Sequence, residues 1–454
     1  MAQSKGKLRA FIKAAVFALL PALALLLGLS LLIDLLDREQ VIEINGPADS
    51  VLYLNGPVYE IEGDEDAPDA QYVSRYRAMV RGGFDARKQP GTFRIFVLGG
   101  SFAMGTPYVY QGLPGMDRGG IDSWMREELR ARYPDLRFEV INAAAGGQSS
   151  HRVRAICREV LQYQPDLLLA ATGNNEGYLP PTRLHRHLHR WALYRALLRL
   201  IAPPPDDARN LPLYIEQRAE VEQLRWAFDR NLEEMRQRCR AAGVPLALCS
   251  MPVNLRYDPR GDSPRPMPSE CYDQARLLVE QGNCRAAAEA LVGCEGYGEA
   301  VFRAKLLEEL GDSQQARQAF LDAVEILPMG RCRPSLNRII RAQAAAPGVL
   351  LVDLERAAWE AAPQGIPGYE TFFDYCHMRW PGYAQMGRVA TQAIIDAGLL
   401  PGEPLERPNT QTLRGVIGLD GKYIKRMFSL NLLDVQMPLG GPEGDAWIPH
   451  CLDR

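Results

Sequence analysis

The chain has 454 residues, which leaves room for two or three domains. Its 47% hydrophobic and 24% charged residues are ordinary for a globular protein. A net charge of −3, with Lys and Arg scattered rather than clustered, excludes nucleic acid as an expected partner.

The N-terminus carries the first strong signal. Ala14 to Ile33 is a run without a charge. At about 1.5 Å per residue, a helix of that run would span roughly 30 Å, the thickness of a bilayer's hydrocarbon core. Lys5, Lys7, Arg9 and Lys13 precede it, and Asp34, Asp37 and Glu39 follow. The positive-inside rule then puts the N-terminus in the cytoplasm and the rest on the exported side, periplasmic or extracellular. A cleaved signal peptide is the alternative, but its apolar region is normally shorter and no clear small-x-small site follows the run. Residues 1–36 are therefore expected to be a cytoplasmic tip and anchor, and the polar residues 37–90 a stalk and lead-in.

Five short, near-continuously apolar runs come next: Arg94–Leu98, Phe138–Asn142, Leu167–Thr172, Leu246–Ser250 and Val349–Asp353. Strands buried on both faces read this way. Helical patterns lie between them, at Ile121–Tyr133, Val153–Gln162, Gln217–Ala242 and up to Ala345. The alternation predicts an α/β three-layer sandwich with a five-stranded parallel sheet, its ligands at the carboxyl ends of the strands. The sheet domain is expected over 91–269 and 331–400, with 401–454 as a C-terminal extension.

Residues 270–330 interrupt this pattern. Ala304, Leu307, Gly311, Ala316, Phe320, Ala323 and Pro328 fall at the spacing of a tetratricopeptide repeat. Ala275, Leu278, Gly282, Ala287 and Leu291 offer a degenerate first copy. The expectation is an inserted helical subdomain, packed on the sheet domain and able to take a protein partner. Of the nine cysteines, Cys271, Cys284, Cys294 and Cys332 cluster here, and export would let them bridge.

Four segments, each just after an apolar run or near the chain's end, bear chemistry. Gly99-Gly100-Ser101 can hold a serine on a tight turn with its hydroxyl exposed. Position 103 is Ala, so this is not the GxSxG elbow. Asn142 to Ser149 includes Gly146 and Gly147, either of which can turn a backbone N–H into a site. Gly173-Asn174-Asn175-Glu176 offers a side-chain amide that could donate to a developing oxyanion. Asp374 precedes His377 by three residues in an apolar and aromatic setting, so the carboxylate can orient an imidazole able to deprotonate Ser101.

Together these residues resemble the four blocks of the SGNH (GDSL-type) hydrolases: a Ser in a Gly-Asp-Ser turn, a Gly, an Asn in Gly-x-Asn-Asp, and Asp-x-x-His. Ser101, Gly147, Asn175 and the Asp374–His377 pair match. The resemblance implies a nucleophile at Ser101, with Asp374 and His377 as its acid and base. It also implies an oxyanion hole of the Ser101 and Gly147 N–H groups and the Asn175 amide. It covers roughly residues 90–260 and 345–398. Gly100 and Glu176 depart from the pattern, each standing where the family has Asp; they and Asn254 are expected at the substrate. The implied reaction is hydrolysis of an acyl ester, O-acetyl among them, through an acyl-Ser101 intermediate, with no cofactor and no metal. Transfer of the acyl group to a cell-surface carbohydrate uses the same site, and a non-catalytic repeat scaffold is the rival of another class.

Two clusters stand outside this set. His185, His187 and His189 alternate in a strongly basic stretch, which suits a solvated or membrane-facing arm, or a lid, better than a metal site. Arg331 and Arg333 offer charge for an anionic substrate, with a plain surface role the simpler reading.

Overall fold

In the computed structural model the described residues are 20, 21, 24–33, 35, 36, 57–64, 67, 69–75, 79, 80, 82–110, 115–176, 188, 191–201, 218–258 and 269–429. They fall into two compact units, one drawn from Leu54–Tyr178 and Pro212–Arg454, the other from Met1–Tyr53 and Leu179–Leu211.

The larger unit opens with β1 (Tyr59–Glu62), β2 (Gln71–Ser74) and β3 (Gly83–Asp85), which form an antiparallel sheet in the stretch expected as a stalk. No apolar run announces these strands, because they are short and half exposed. Their inward rings, Tyr59, Tyr72 and Phe84, pack against Phe96 and Tyr163 at centroid distances of 4.4 to 6.4 Å. The Glu159 carboxylate accepts the Val58 and Tyr59 N–H groups at 2.7 and 3.0 Å and fixes the strand's entry.

The five apolar runs form β4 (Thr92–Gly99), β5 (Arg137–Asn142), β6 (Leu167–Ala171), β7 (Leu246–Cys249) and β8 (Val349–Val352), each bounded within two residues of the sequence reading. All pairings are parallel, in the order β5-β4-β6-β7-β8. Central β4 and β6 are buried on both faces, which is why they lack polar alternation. The order reverses between β4 and β6, and in open sheets that crevice is where ligands bind.

Helices cover both faces. On one side α1 (Ser101–Met104) is short, and α2 (Ile121–Arg132) lies on the long helix α12 (Trp380–Asp396). Trp124 stacks on Trp380 there, at 6.1 Å between ring centroids. A Cβ at Gly387 would sit 2.5 Å from Trp124 Cβ, so glycine lets the two backbones close. On the other side lie α3 (Ser150–Val160), α5 (Arg218–Ala241) and α10 (Pro334–Ala344), tied by Arg154–Glu234 at 2.8 Å and by Gln343 donating to Asp229 at 2.7 Å. Arg94, 1% exposed, joins the two sheets. It pairs with Glu139 at 2.5 Å, donates to the carbonyls of Asp85 and Tyr163 at 2.7 Å, and lies over the Phe84 ring.

Residues 270–326 form two helical hairpins, α6 (Glu270–Glu280) with α7 (Cys284–Ala290) and α8 (Tyr297–Glu309) with α9 (Ser313–Ile326). Ser269, Asn283 and Asp312 cap three of these helices. Ala275, Ala287, Ala304 and Ala316 are fully buried where small residues let the helices meet. Cys271 and Cys294 form a disulfide, whereas Cys284 and Cys332 are free. Arg225–Glu325 at 2.7 Å and Arg256–Glu308 at 2.5 Å hold the hairpins to the sheet domain. Arg331 and Arg333 are neither surface residues nor anion ligands: both are buried and donate to main-chain carbonyls, Arg331 to Leu327, Pro328 and Tyr257, Arg333 to Glu325.

After α11 (Leu354–Ala361) and α12, the extension adds α13 (Thr410–Ile417) and α14 (Gly421–Ser429). Tyr423 donates its hydroxyl to Tyr108 O at 2.7 Å, and Phe428 meets Phe373. Residues 430–454 lie outside the described residues.

The smaller unit contains helical residues 24–33 and α4 (Ala192–Ile201). Residues 14–19, 22 and 23 of the apolar run, and His185, His187 and His189, lie outside the described residues. Among the described residues no helix is long and apolar enough to cross a membrane.

Candidate active site

Strand ends build the site. β4 runs through Gly99 and Gly100 into Ser101, the first residue of α1, so the Ser101 N–H is among those with no partner inside the helix. Gly99 has φ 155°, and a Cβ there would collide with Ala171 O at the end of β6. A Cβ at Gly100 would collide with Asn175 Nδ2. The residue where the resembling family has Asp thus leaves room for the amide that follows β6. Gly100 works here through its lack of a side chain.

Asp374 and His377 sit on a tight antiparallel turn rather than on a helix. Phe372 bridges Met378, and the Phe373 N–H donates to His377 O at 2.8 Å. Asp374 Oδ1 accepts the N–H groups of Cys376 and His377 at 2.8 and 2.7 Å, a side chain mimicking a backbone turn. Its other oxygen, Oδ2, takes His377 Nδ1–H at 2.6 Å. Nε2 is then left to accept the Ser101 hydroxyl, 2.7 Å away and 276 residues distant in sequence. Asp374 and His377 are 2% and 4% exposed.

Burial alone would push the His377 pKa down, but the Asp374 carboxylate outweighs it and holds the imidazole well above its ordinary 6.5. Burial pushes the Cys376 thiol up. Asp374, Cys376 and His377 bring ligand atoms within 4.8 Å of one another. The carboxylate and both ring nitrogens are nevertheless already engaged, which suits a proton relay better than a metal.

Asn175 Nδ2 donates to Gln148 O at 3.1 Å, and both groups are buried. That bond aims the amide along Gly100 and ties the turn after β6 to the loop after β5. In that loop Gly147 takes φ 68°, in the left-handed region that glycine tolerates. Glu176 makes a second tie. Its carboxylate accepts the Ser150 N–H at 2.6 Å and the Ser150 hydroxyl at 2.8 Å. Asn231 of α5 donates in turn to Ser150 Oγ at 2.9 Å. Desolvation raises the Glu176 carboxyl to about 7, against the opposing pull of those hydrogen bonds. Both oxygens of Glu176 therefore serve the scaffold.

Asn254 is likewise engaged by the scaffold. It is fully buried, donates to Asp374 O at 2.9 Å, and accepts the Arg256 N–H at 3.0 Å. Its own N–H donates to Tyr375 O at 3.0 Å. It is a strut for the Asp374 turn. Ser150, Asn231 and Gln148 escaped the sequence reading. A serine before a helix reads as a cap, an Asn inside a long helix carries no signal, and Gln148 acts through its carbonyl.

No family model matches the chain, and no curated protein matches it. Solved structures do. An acetyl xylan esterase from Geobacillus stearothermophilus, in a variant form, is 13% identical with a TM-score of 0.36, over 70% of this chain and 97% of its own. A GDSL-like lipase from Bacteroides thetaiotaomicron is 15% identical with a TM-score of 0.31, over 67% and 88%. An alpha/beta hydrolase enzyme from the metagenome of Lake Arreo, Spain, is 13% identical with a TM-score of 0.32, over 68% and 97%. At TM-scores this low the likenesses assign no role to this chain.

Proposed function

We propose that the chain is a serine-nucleophile ester hydrolase. The observation that carries this reading is the unbroken relay from Asp374 through His377 to Ser101, with links of 2.6 and 2.7 Å, at the carboxyl ends of a parallel sheet. His377 Nε2 takes the hydroxyl proton as Ser101 Oγ attacks the ester carbonyl carbon. The carbonyl oxygen becomes an oxyanion, met by the second N–H of the Asn175 amide and by the backbone N–H groups of Gly147 and Ser101. Collapse breaks the C–O bond, the imidazolium gives its proton to the departing alcohol, and water repeats the sequence on acyl-Ser101. A catalytic relic would have no need to keep Ser101 and His377 within hydrogen-bond reach, so the short link disfavours a purely scaffolding role.

The proposed substrate is an acyl ester met on the exported side of a membrane, with O-acetyl carbohydrate the first to try. Location supports this part. The N-terminal apolar run is preceded by basic residues, and within it Leu25 and Leu31 are 73% and 62% exposed. Such side chains need an apolar surrounding. A fluorophosphonate probe should label the wild-type chain at one serine, and p-nitrophenyl acetate should be turned over. Ser101→Ala should abolish both. Unchanged turnover in that variant sinks the proposal.

A further inference from the structure

The smaller unit draws together two stretches more than 150 residues apart in sequence. The Leu193 N–H, at the start of α4, donates to Ser30 Oγ at 3.3 Å, and Ser30 is 6% exposed amid exposed leucines. This N–H belongs to the first turn of α4, where no partner exists within the helix, so the Ser30 hydroxyl supplies one. Ala192 is buried, while Trp191 and Leu197 stand 47% and 44% exposed. Exposed apolar side chains thus stand on both stretches that the Ser30–Leu193 bond joins.

Charge says what covers that surface. Between Glu176 and Asp206 there is no acidic residue, but there are five arginines, of which Arg195 and Arg199 lie one turn apart in α4. An aqueous protein partner would need a matching acidic face. An anionic leaflet meets arginine and Trp together at its headgroup level. Depth agrees. Ser30 precedes Ile33, the last residue of the apolar run, by three positions, or about 4.5 Å of helix rise. An interfacial helix seats its apolar face roughly 5–10 Å into the headgroup boundary.

We infer that α4, led by Trp191, is a second membrane contact: an interfacial helix lying on an anionic leaflet where the N-terminal helix emerges from it. The inference rests on the proposed anchor. An ester-cleaving chain held at a lipid surface meets esters carried by membrane-bound molecules as its substrate class.

The test uses the full chain reconstituted into vesicles of phosphatidylcholine with or without phosphatidylglycerol, with brominated lipid as quencher of Trp emission. The chain has six Trp. Trp191→Phe should remove most of the lipid-quenched emission, well beyond a one-in-six share, and Arg195→Glu with Arg199→Glu should reduce quenching only where phosphatidylglycerol is present. Quenching that is the same in wild type and Trp191→Phe overturns the inference, as does protection of Trp191 through a dimer that forms equally without lipid. An alkaline carbonate wash separates the two readings. If the chain stays with the vesicles but Trp191 is not quenched, the interfacial helix is wrong and the anchor stands. If the chain washes off while Trp191 is quenched before the wash, the anchor is wrong and the interfacial helix stands.

Discussion

His377 and Glu176 are two buried titratable groups with different partners. Asp374 holds His377 from one side and keeps its proton, so in free enzyme the base becomes available only above the ordinary imidazole range. The rising limb of kcat/KM against pH should therefore have its midpoint above 6.5. Asp374→Asn removes the charge and misorients the ring. It should move that limb to lower pH and lower kcat roughly 10³–10⁴-fold, read from full pH–rate profiles. Glu176 bears on stability rather than on the base. Its folded pKa, about 7, is raised above the ordinary 4.5, so its contribution is present below pH 4.5 and is lost as pH rises through 7. Glu176→Gln keeps an acceptor for the Ser150 N–H and abolishes the titration. It should gain up to about 3 kcal/mol relative to wild type at pH 8, measured by denaturant unfolding at pH 5 and pH 8. A relative stability that does not change with pH would show that Glu176 titrates as an ordinary carboxyl.

Elements set how much of this was legible in advance. The inner strands β4, β6 and β7 declared themselves because burial on both faces leaves no polar alternation to misread, and the edge strands β5 and β8 through their short apolar runs. The strands of the first sheet did not, since four-residue segments with exposed edges look like any polar lead-in. At the site, Ser101, Asn175, Asp374 and His377 could be listed because their residue types and spacings are unusual. What spacing cannot express is which side chains hold others. Asn254 braces the Asp374 turn, and Glu176 places both oxygens on Ser150. Likewise Arg331 and Arg333 carry charge that the chain folds inward onto its own carbonyls. The helical hairpins depend on small-residue contacts and one crosslink across 23 residues of sequence. Cys271→Ser with Cys294→Ser should lower their stability by about 3 kcal/mol, seen as faster proteolysis of 270–330 with esterase turnover retained.

At the scale of the whole molecule, the sheet's order brings together groups from opposite ends of the chain. Ser101 and Asn175 flank the point where strand order reverses, and the Asp374 turn closes over them from beyond the last strand. Two large insertions, one after β6 and one after β7, lie between these parts without disturbing the register of the strands. The long span between nucleophile and base has a consequence during synthesis. At roughly 5–20 residues per second, some 15–55 s separate the emergence of Ser101 from that of His377, 276 residues later. Throughout that interval the nascent chain carries a serine with no base to activate it. The N-terminal residues have by then long left the ribosome, so catalytic competence arrives only once the chain has been made through His377.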